Sequence, residues 1–149
     1  MIYWLFGQPA AGKTTLTKEL IKRLNPVKYV HIDGDNLRSI LKNQDYTEGG
    51  RDKNLQSVLD IARFSAAHDN DVFISVVAPY NRHRESLADS NDVVQVYVHT
   101  TEIRGREDYF VDEIEITKDA IWINTTNRSI EESVLELINK IDYHIVFNK

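Results

Sequence analysis

The run Gly7-Gln8-Pro9-Ala10-Ala11-Gly12-Lys13-Thr14 constrains this chain more than any other feature. It spells G-x-x-x-x-G-K-T, and the setting suits the spelling. Ile2-Tyr3-Trp4-Leu5-Phe6 in front reads as a short buried strand, and Leu16, Leu20, Ile21 and Leu24 behind recur at helical spacing. A glycine loop joining a strand to a helix presents backbone N–H groups and the positive end of the helix dipole to an anion. In this arrangement the loop cradles nucleotide phosphates, the lysine reaches the β- and γ-phosphates, and the Thr14 hydroxyl ligates Mg²⁺. ATP and Mg²⁺ are therefore the expected ligands, on Gly7, Ala10, Ala11, Gly12, Lys13, Thr14 and Thr15, with Lys13 also catalytic.

Apolar runs alternate with helical patterns along the rest of the chain, which predicts an α/β fold with a mostly parallel sheet of about five strands and helices on both faces. Strands are expected over 2–6, 28–32, 72–78, 93–98 and 120–123, and helices over 13–24, 35–42, 52–68, 82–89 and 130–140. The helix over 52–68 puts Leu55, Val58, Leu59, Ala62 and Ala66 on one face. The last helix opens with a capping box, Ser129-x-x-Glu132, and its apolar face is Ile130, Val134, Leu137, Ile138 and Ile141. Residues 142–147 are a candidate final strand. Ligands of open α/β sheets sit outside the carboxyl ends of the strands. Gly7–Thr14, Asp33–Arg38, Pro79–Arg84 and His99–Asp119 should thus meet at one crevice within a single domain, residues 1–149.

Composition narrows the function classes. The 149 residues include no cysteine, which removes disulfides, thiolate metal sites and a cysteine nucleophile. No run approaches the roughly 18 apolar residues of a membrane span. The first residues already form the strand that feeds the glycine loop, leaving no room for a signal peptide, so a cytoplasmic enzyme is expected. A net charge of -5 argues against a nucleic-acid partner. A small anionic ligand needs only a few convergent arginines. Asn139-Lys140-Ile141-Asp142 spells the guanine-reading N-K-x-D motif, but the pattern before it is helical rather than a buried strand, so a helix end is the better account. The five histidines show no metal-ligand spacing.

Three further groups carry chemistry. Asp33-Gly34-Asp35-Asn36-Leu37-Arg38 lies just past the second strand and supplies two carboxylates and an arginine. A kinase needs a carboxylate for the acceptor hydroxyl and another for the metal's water. An Asx-type turn with Asp35 as helix N-cap is the competing account. Gly49-Gly50-Arg51-Asp52-Lys53-Asn54 opens a helix, and Ala78-Pro79-Tyr80-Asn81-Arg82-His83-Arg84 ends the third strand.

Together these stretches resemble the adenylylsulfate kinase (APS kinase) family, over roughly residues 1–100 and 120–140. The family's Asp-Gly-Asp-Asn-x-Arg stands as Asp33–Arg38, its Arg-x-x-Asn as Arg51–Asn54, and its Ser-Pro-Tyr-Arg-x-x-Arg as Ala78–Arg84. The resemblance implies transfer of the γ-phosphoryl of ATP to the 3′-hydroxyl of adenosine 5′-phosphosulfate (APS), giving PAPS and ADP, in a homodimer. It makes Asp33 the group on the hydroxyl and Asp35 the holder of metal-bound water. Arg38, Arg51, Asn54, Pro79, Tyr80 and Arg84 join Asp33 as acceptor-binding residues. Gln56-Ser57 stand where the family has two arginines, and Ala78 and Asn81 replace its serine and arginine. Residues 100–119 form a shortened lid without the family's Lys-Gly-Leu-Tyr and Phe-Thr-Gly stretches. Arg104 and Arg106, with Tyr109 and Phe110, are what remains for its work, beside the acidic Asp112, Glu113 and Glu115. A kinase with another hydroxyl acceptor (a polynucleotide 5′-hydroxyl or a nucleoside) and a non-catalytic nucleotide-binding protein remain as alternatives.

Overall fold

The computed structural model describes residues 1–147 apart from 90, 103 and 112. Five strands, β1 (Ile2–Phe6), β2 (Tyr29–Asp33), β3 (Asp71–Ser75), β4 (Val93–His99) and β5 (Ile121–Asn124), form one sheet in the order β2-β3-β1-β4-β5. Every pairing is parallel. The helices are α1 (Lys13–Leu24), α2 (Gly34–Leu41), α3 (Glu48–Ala67), α4 (Asn81–Ala88) and α5 (Ile130–Phe147).

A parallel sheet is covered on both faces, so its central strand is apolar throughout. All five residues of β1 are buried, and they divide by the two-residue period. Tyr3 and Leu5 join a core with Leu16 and Leu20 of α1 and Val134, Leu137 and Ile141 of α5. Ile2, Trp4 and Phe6 join a second core with Leu55, Val58, Leu59 and Ala62 of α3 and Leu87 of α4. The chain passes from β3 on one side of β1 to β4 on the other, and the crevice opens there, at the carboxyl end of β1.

Ser129 caps the last helix as expected, with the Glu132 amide donating to Ser129 Oγ at 3.1 Å, but the Glu132 carboxylate accepts from the Ser129 hydroxyl at 3.1 Å rather than from its backbone amide. Three expectations are corrected. Residues 142–147 continue α5 instead of forming a strand, because Ile145 extends the buried stripe of Ile141 one turn further and no breaker intervenes. Ile130 is exposed rather than on that stripe. β3 stops at Ser75, since Val77 turns its carbonyl to the Gly7 amide and Ala78 adopts φ 42°.

Candidate active site

The glycine loop is shaped by contacts that only its own residues allow. Gly7 has φ 150°, and a Cβ there would overlap the Val98 carbonyl oxygen of β4. Gly12, at φ 104°, is the N-cap of α1. Lys13 is the first residue of that helix, buried, with Nζ donating to the Gln8 carbonyl at 2.7 Å. Burial pushes its pKa down to about 8, against the pull of Asp35 and Asp33 and with the push of Arg106. An ammonium so desolvated, held only by a carbonyl, is ready to exchange that carbonyl for a phosphate oxygen.

The two carboxylates differ sharply in surroundings. Asp33 closes β2 and is itself the N-cap of α2, with Oδ2 accepting from the Asn36 amide at 3.1 Å. Asp35 lies in the first turn of α2, so the competing account of Asp35 as a helix N-cap does not hold. Asp33 Oδ1 accepts from the Thr14 hydroxyl and, at 3.2 Å, from Ser75 Oγ. Burial raises the Asp33 pKa, but the bonds from Thr14, Asn36 and Ser75 outweigh it and hold the carboxyl below its usual range. Asp35 is exposed and pairs with Arg106 at 3.3 Å. Thr14 and Asp33 thus offer a hydroxyl and an ionised carboxylate to one point beside the glycine loop. That donor set suits Mg²⁺, a hard cation that takes few protein ligands and keeps several waters. No cluster of three or more histidine or acidic residues fit for a metal exists among the described residues, so such an ion would lean on phosphate oxygens for the rest.

A cavity of about 380 Å³ joins these groups, lined among others by Lys13, Asp33, Asp35, Arg38, Arg51 and Asn54. Arg38 donates to the carbonyls of Asn43 and Asp45 at 3.3 and 3.0 Å and lies 4.1 Å over the Tyr46 ring. Arg51 donates to the carbonyls of Tyr46 and Tyr109, both at 3.0 Å. Its burial and the neighbouring Arg38 lower its pKa, the signature of a cation short of an anion. Asn54 is buried, and its Oδ1 has no hydrogen-bond partner.

The segment between β4 and β5 crosses both halves of the crevice. Arg104 donates to the Ala10 carbonyl at 3.1 Å and to the Thr125 carbonyl at 3.3 Å. Gln8 and Val111 exchange two hydrogen bonds, 2.9 Å from the Gln8 amide to the Val111 carbonyl and 3.1 Å back. Tyr109 packs against Tyr46 with ring centroids 4.9 Å apart and the rings tilted by 58°. Asp112 lies outside the described residues.

Pro9, Ala10, Gly12, Lys13, Thr14, Thr15, Asp33, Asp35, Arg38, Arg51, Asn54, Pro79, Arg104 and Arg106 all line this one cavity, whereas Gly7 and Ala11, expected on the nucleotide, do not. Two expected acceptor contacts do not reach it. Arg84 is fully buried, bonded to Gln95 Oε1 at 3.0 Å, Thr117 Oγ1 at 3.2 Å and the Glu115 carbonyl. Tyr80 caps α4 and packs on Arg82, 4.4 Å away. The Arg84 expectation is corrected: the sidedness of α4 turns its guanidinium into the core. Sequence reasoning missed Tyr46, Ser75 and Gln8. Tyr46 stands in the loop two residues before α3, with no periodic signal. Ser75 meets Asp33 only through the parallel register, in which the two are partners.

A family model described as adenylylsulphate kinase matches residues 1–109. The match ends within the segment between β4 and β5, where the sequence departs from the family. The adenylyl-sulfate kinase of Penicillium chrysogenum is 31% identical over 94 residues, 60% of this chain and 44% of that protein. The probable adenylyl-sulfate kinase of Pyrococcus abyssi (strain GE5 / Orsay) is 33% identical over 110 residues, 70% of this chain and 63% of that protein. The chain thus spans about half the length of the curated relatives it matches. Among solved structures, the Mycobacterium tuberculosis APS kinase in complex with AMPPNP and APS superposes with TM-score 0.76 at 19% identity, covering 95% of this chain and 96% of that one. The shikimate kinase of Aquifex aeolicus gives TM-score 0.66 at 13% identity, covering 99% of each. At these identities the likeness is one of fold.

Proposed function

The chain belongs to the adenylylsulphate kinase family, and from that premise we propose that it transfers the γ-phosphoryl of ATP to the 3′-hydroxyl of APS, yielding PAPS and ADP. The observation that carries the reading is the meeting, in one cavity, of Lys13 and Thr14 with Asp33, Asp35, Arg38, Arg51 and Asn54. The M. tuberculosis neighbour, solved with AMPPNP and APS, supports it through the shared fold.

The loop amides and Lys13 hold the donor's phosphates, and Lys13 follows the charge that builds on the β–γ bridge. Mg²⁺, held by Thr14 with Asp33 beside it, would neutralise charge on the β- and γ-phosphates. The contact between Thr14 and Asp33 favours an exchange of the two carboxylate roles expected from sequence: Asp33 serves the metal side, and Asp35 takes up the acceptor hydroxyl's proton. A carboxylate with both oxygens already accepting is a poor base, whereas Asp35 is exposed and, among the described residues, bound to Arg106 alone. Arg38 and Arg51 each keep guanidinium donors beyond the carbonyls they bind and hold the acceptor's anionic group. Asn54 Oδ1 takes a donor from the acceptor, removing its orphan status. Arg104 and Arg106 hold the lid over the donor's phosphates.

The test is an assay of the purified chain with ATP, Mg²⁺ and APS, resolving PAPS and ADP. Stoichiometric formation of both is expected. ATP consumption with other 3′-hydroxyl nucleotides but none with APS would keep the kinase chemistry and discard the acceptor. Tight ATP binding with no acceptor turned over would leave a binding protein.

A further inference from the structure

Behind Asp33 stand two polar groups that no step above uses. His31 and Asp33 are two residues apart on β2 and share one face of the sheet. Ser75 of β3 is the register partner of Asp33. His31 Nε2 lies 2.8 Å from Ser75 Oγ, and Ser75 Oγ lies 3.2 Å from Asp33 Oδ1. Ser75 is buried and His31 partly so.

Counting hydrogens fixes the direction of this chain. Asp33 as a carboxylate only accepts, so the single Ser75 hydroxyl proton goes to Asp33 Oδ1. The Ser75 oxygen then accepts from His31, whose ring carries its proton on Nε2. The same Asp33 oxygen also takes the Thr14 hydroxyl, and Oδ2 takes the Asn36 amide. Asp33 is therefore held from three directions: the glycine-loop helix, the α2 amide and the β3 serine. Among the described residues, the last is the one backed by another side chain.

We infer that Ser75 and His31 are positioning residues: acting one through the other, they orient the Asp33 carboxylate toward a Mg²⁺–nucleotide complex and thereby set the metal dependence of nucleotide binding. The inference rests on the kinase reading and adds to it a β2–β3 relay. Partners of this kind act by fixing the orientation of a carboxylate and by keeping its lone pairs directed, and their loss typically lowers metal affinity about 10–100-fold.

Calorimetric titration of ADP with MgCl₂ and separately with EDTA tests it on the whole chain, without turnover. Ser75→Ala is expected to weaken ADP binding in Mg²⁺ by about tenfold while leaving binding in EDTA unchanged. Ser75→Thr keeps the hydroxyl and retains wild-type behaviour. His31→Leu lowers the Mg²⁺-dependent gain by about threefold, and His31→Gln, whose amide N–H replaces Nε2–H, restores it. Equal losses in Mg²⁺ and in EDTA would make Ser75 a packing residue and overturn the inference. So would a Ser75→Ala protein with the wild-type metal dependence. Failure of the wild-type chain to bind ADP in either buffer is a different result: it removes the kinase reading, and this inference with it.

Discussion

Lys13 ties stability and function together at the level of one residue. Burial holds its pKa at about 8, against 10.5 for the free side chain. Below pH 8 it is protonated both folded and unfolded, and the folded state carries the whole desolvation cost. From pH 8 to 10.5 the unfolded chain binds the extra proton, so stability rises with pH; above that range the cost is gone. A difference of this size corresponds to about 3 kcal/mol. Lys13→Met is therefore expected to resist urea better than wild type at pH 7, by up to about 3 kcal/mol, with the advantage vanishing near pH 10.5. An advantage independent of pH would assign the cost to another group. The same substitution should cut kcat/KM for ATP by at least ~100-fold, the scale of one lost electrostatic stabiliser. The two carboxylates separate in the same assays. Asp35→Asn is expected to lower kcat by about 10²–10⁴-fold with Mg²⁺-dependent ADP binding intact. Asp33→Asn is expected to weaken that binding first, and a loss confined to kcat would return the hydroxyl to Asp33.

The lid is an element defined by where its backbone is fastened. Gln8 holds Val111 by two hydrogen bonds, Arg104 holds the Ala10 carbonyl, and Arg51 holds the Tyr109 carbonyl, so one short span touches both the donor and the acceptor sides. Gln8→Ala removes the paired bonds, together about 1–3 kcal/mol. Tryptic cleavage after Arg104 and Arg106 should accelerate roughly tenfold, and ADP should slow it again; an unchanged rate would mean that Gln8 does not fasten the lid. How legible each part was follows from the range of its interactions. The glycine loop and α1 were readable because Gly7, Gly12 and the Leu16–Leu20 spacing act within a few residues. The five strands were readable because each is a short run rich in β-branched or aromatic residues and bounded by polar turns. Asp33 and Asp35 were readable as a pair but not in their division of labour, which depends on Thr14 19 positions earlier and Ser75 42 positions later. The lid's fastenings were hidden altogether, because Gln8 meets Val111 across 103 positions and neither residue is unusual in its own neighbourhood.

At the scale of the whole molecule, the sheet separates two cores, and the crevice lies where the chain changes sides; Arg84 is what joins that crevice to the interior. Its guanidinium lies 3.7 Å over Phe6, the last residue of β1 before the glycine loop. It also bonds Gln95 of β4 and, through Thr117 and the Glu115 carbonyl, the returning end of the lid. Burial lowers its pKa to about 10, and Glu115 and Glu85 only partly offset that. Its bonds run to neutral oxygens, which lose their donor if it is removed. Arg84→Ala would take one donor each from Gln95 Oε1, Thr117 Oγ1 and the Glu115 carbonyl around a new cavity, with Thr117 still donating to Gln95 at 2.6 Å. The cost is expected near 3–5 kcal/mol, from the buried acceptors that lose a donor and the cavity left by the side chain together. Arg84→Met fills most of the volume but supplies no donor, so its cost is expected to be smaller, about 2–3 kcal/mol, from the unpaired oxygens alone. Urea unfolding of both variants measures the two costs. At a temperature where each is folded, the KM for the acceptor should remain near the wild-type value, because the guanidinium never faces the cavity. A residue gripping the substrate's anion would behave in the opposite way, with stability kept and KM raised about 10–100-fold by the loss of one charge-assisted hydrogen bond. That second pattern would require α4 to rotate its buried face toward the crevice on substrate binding and would remove Arg84 from the core.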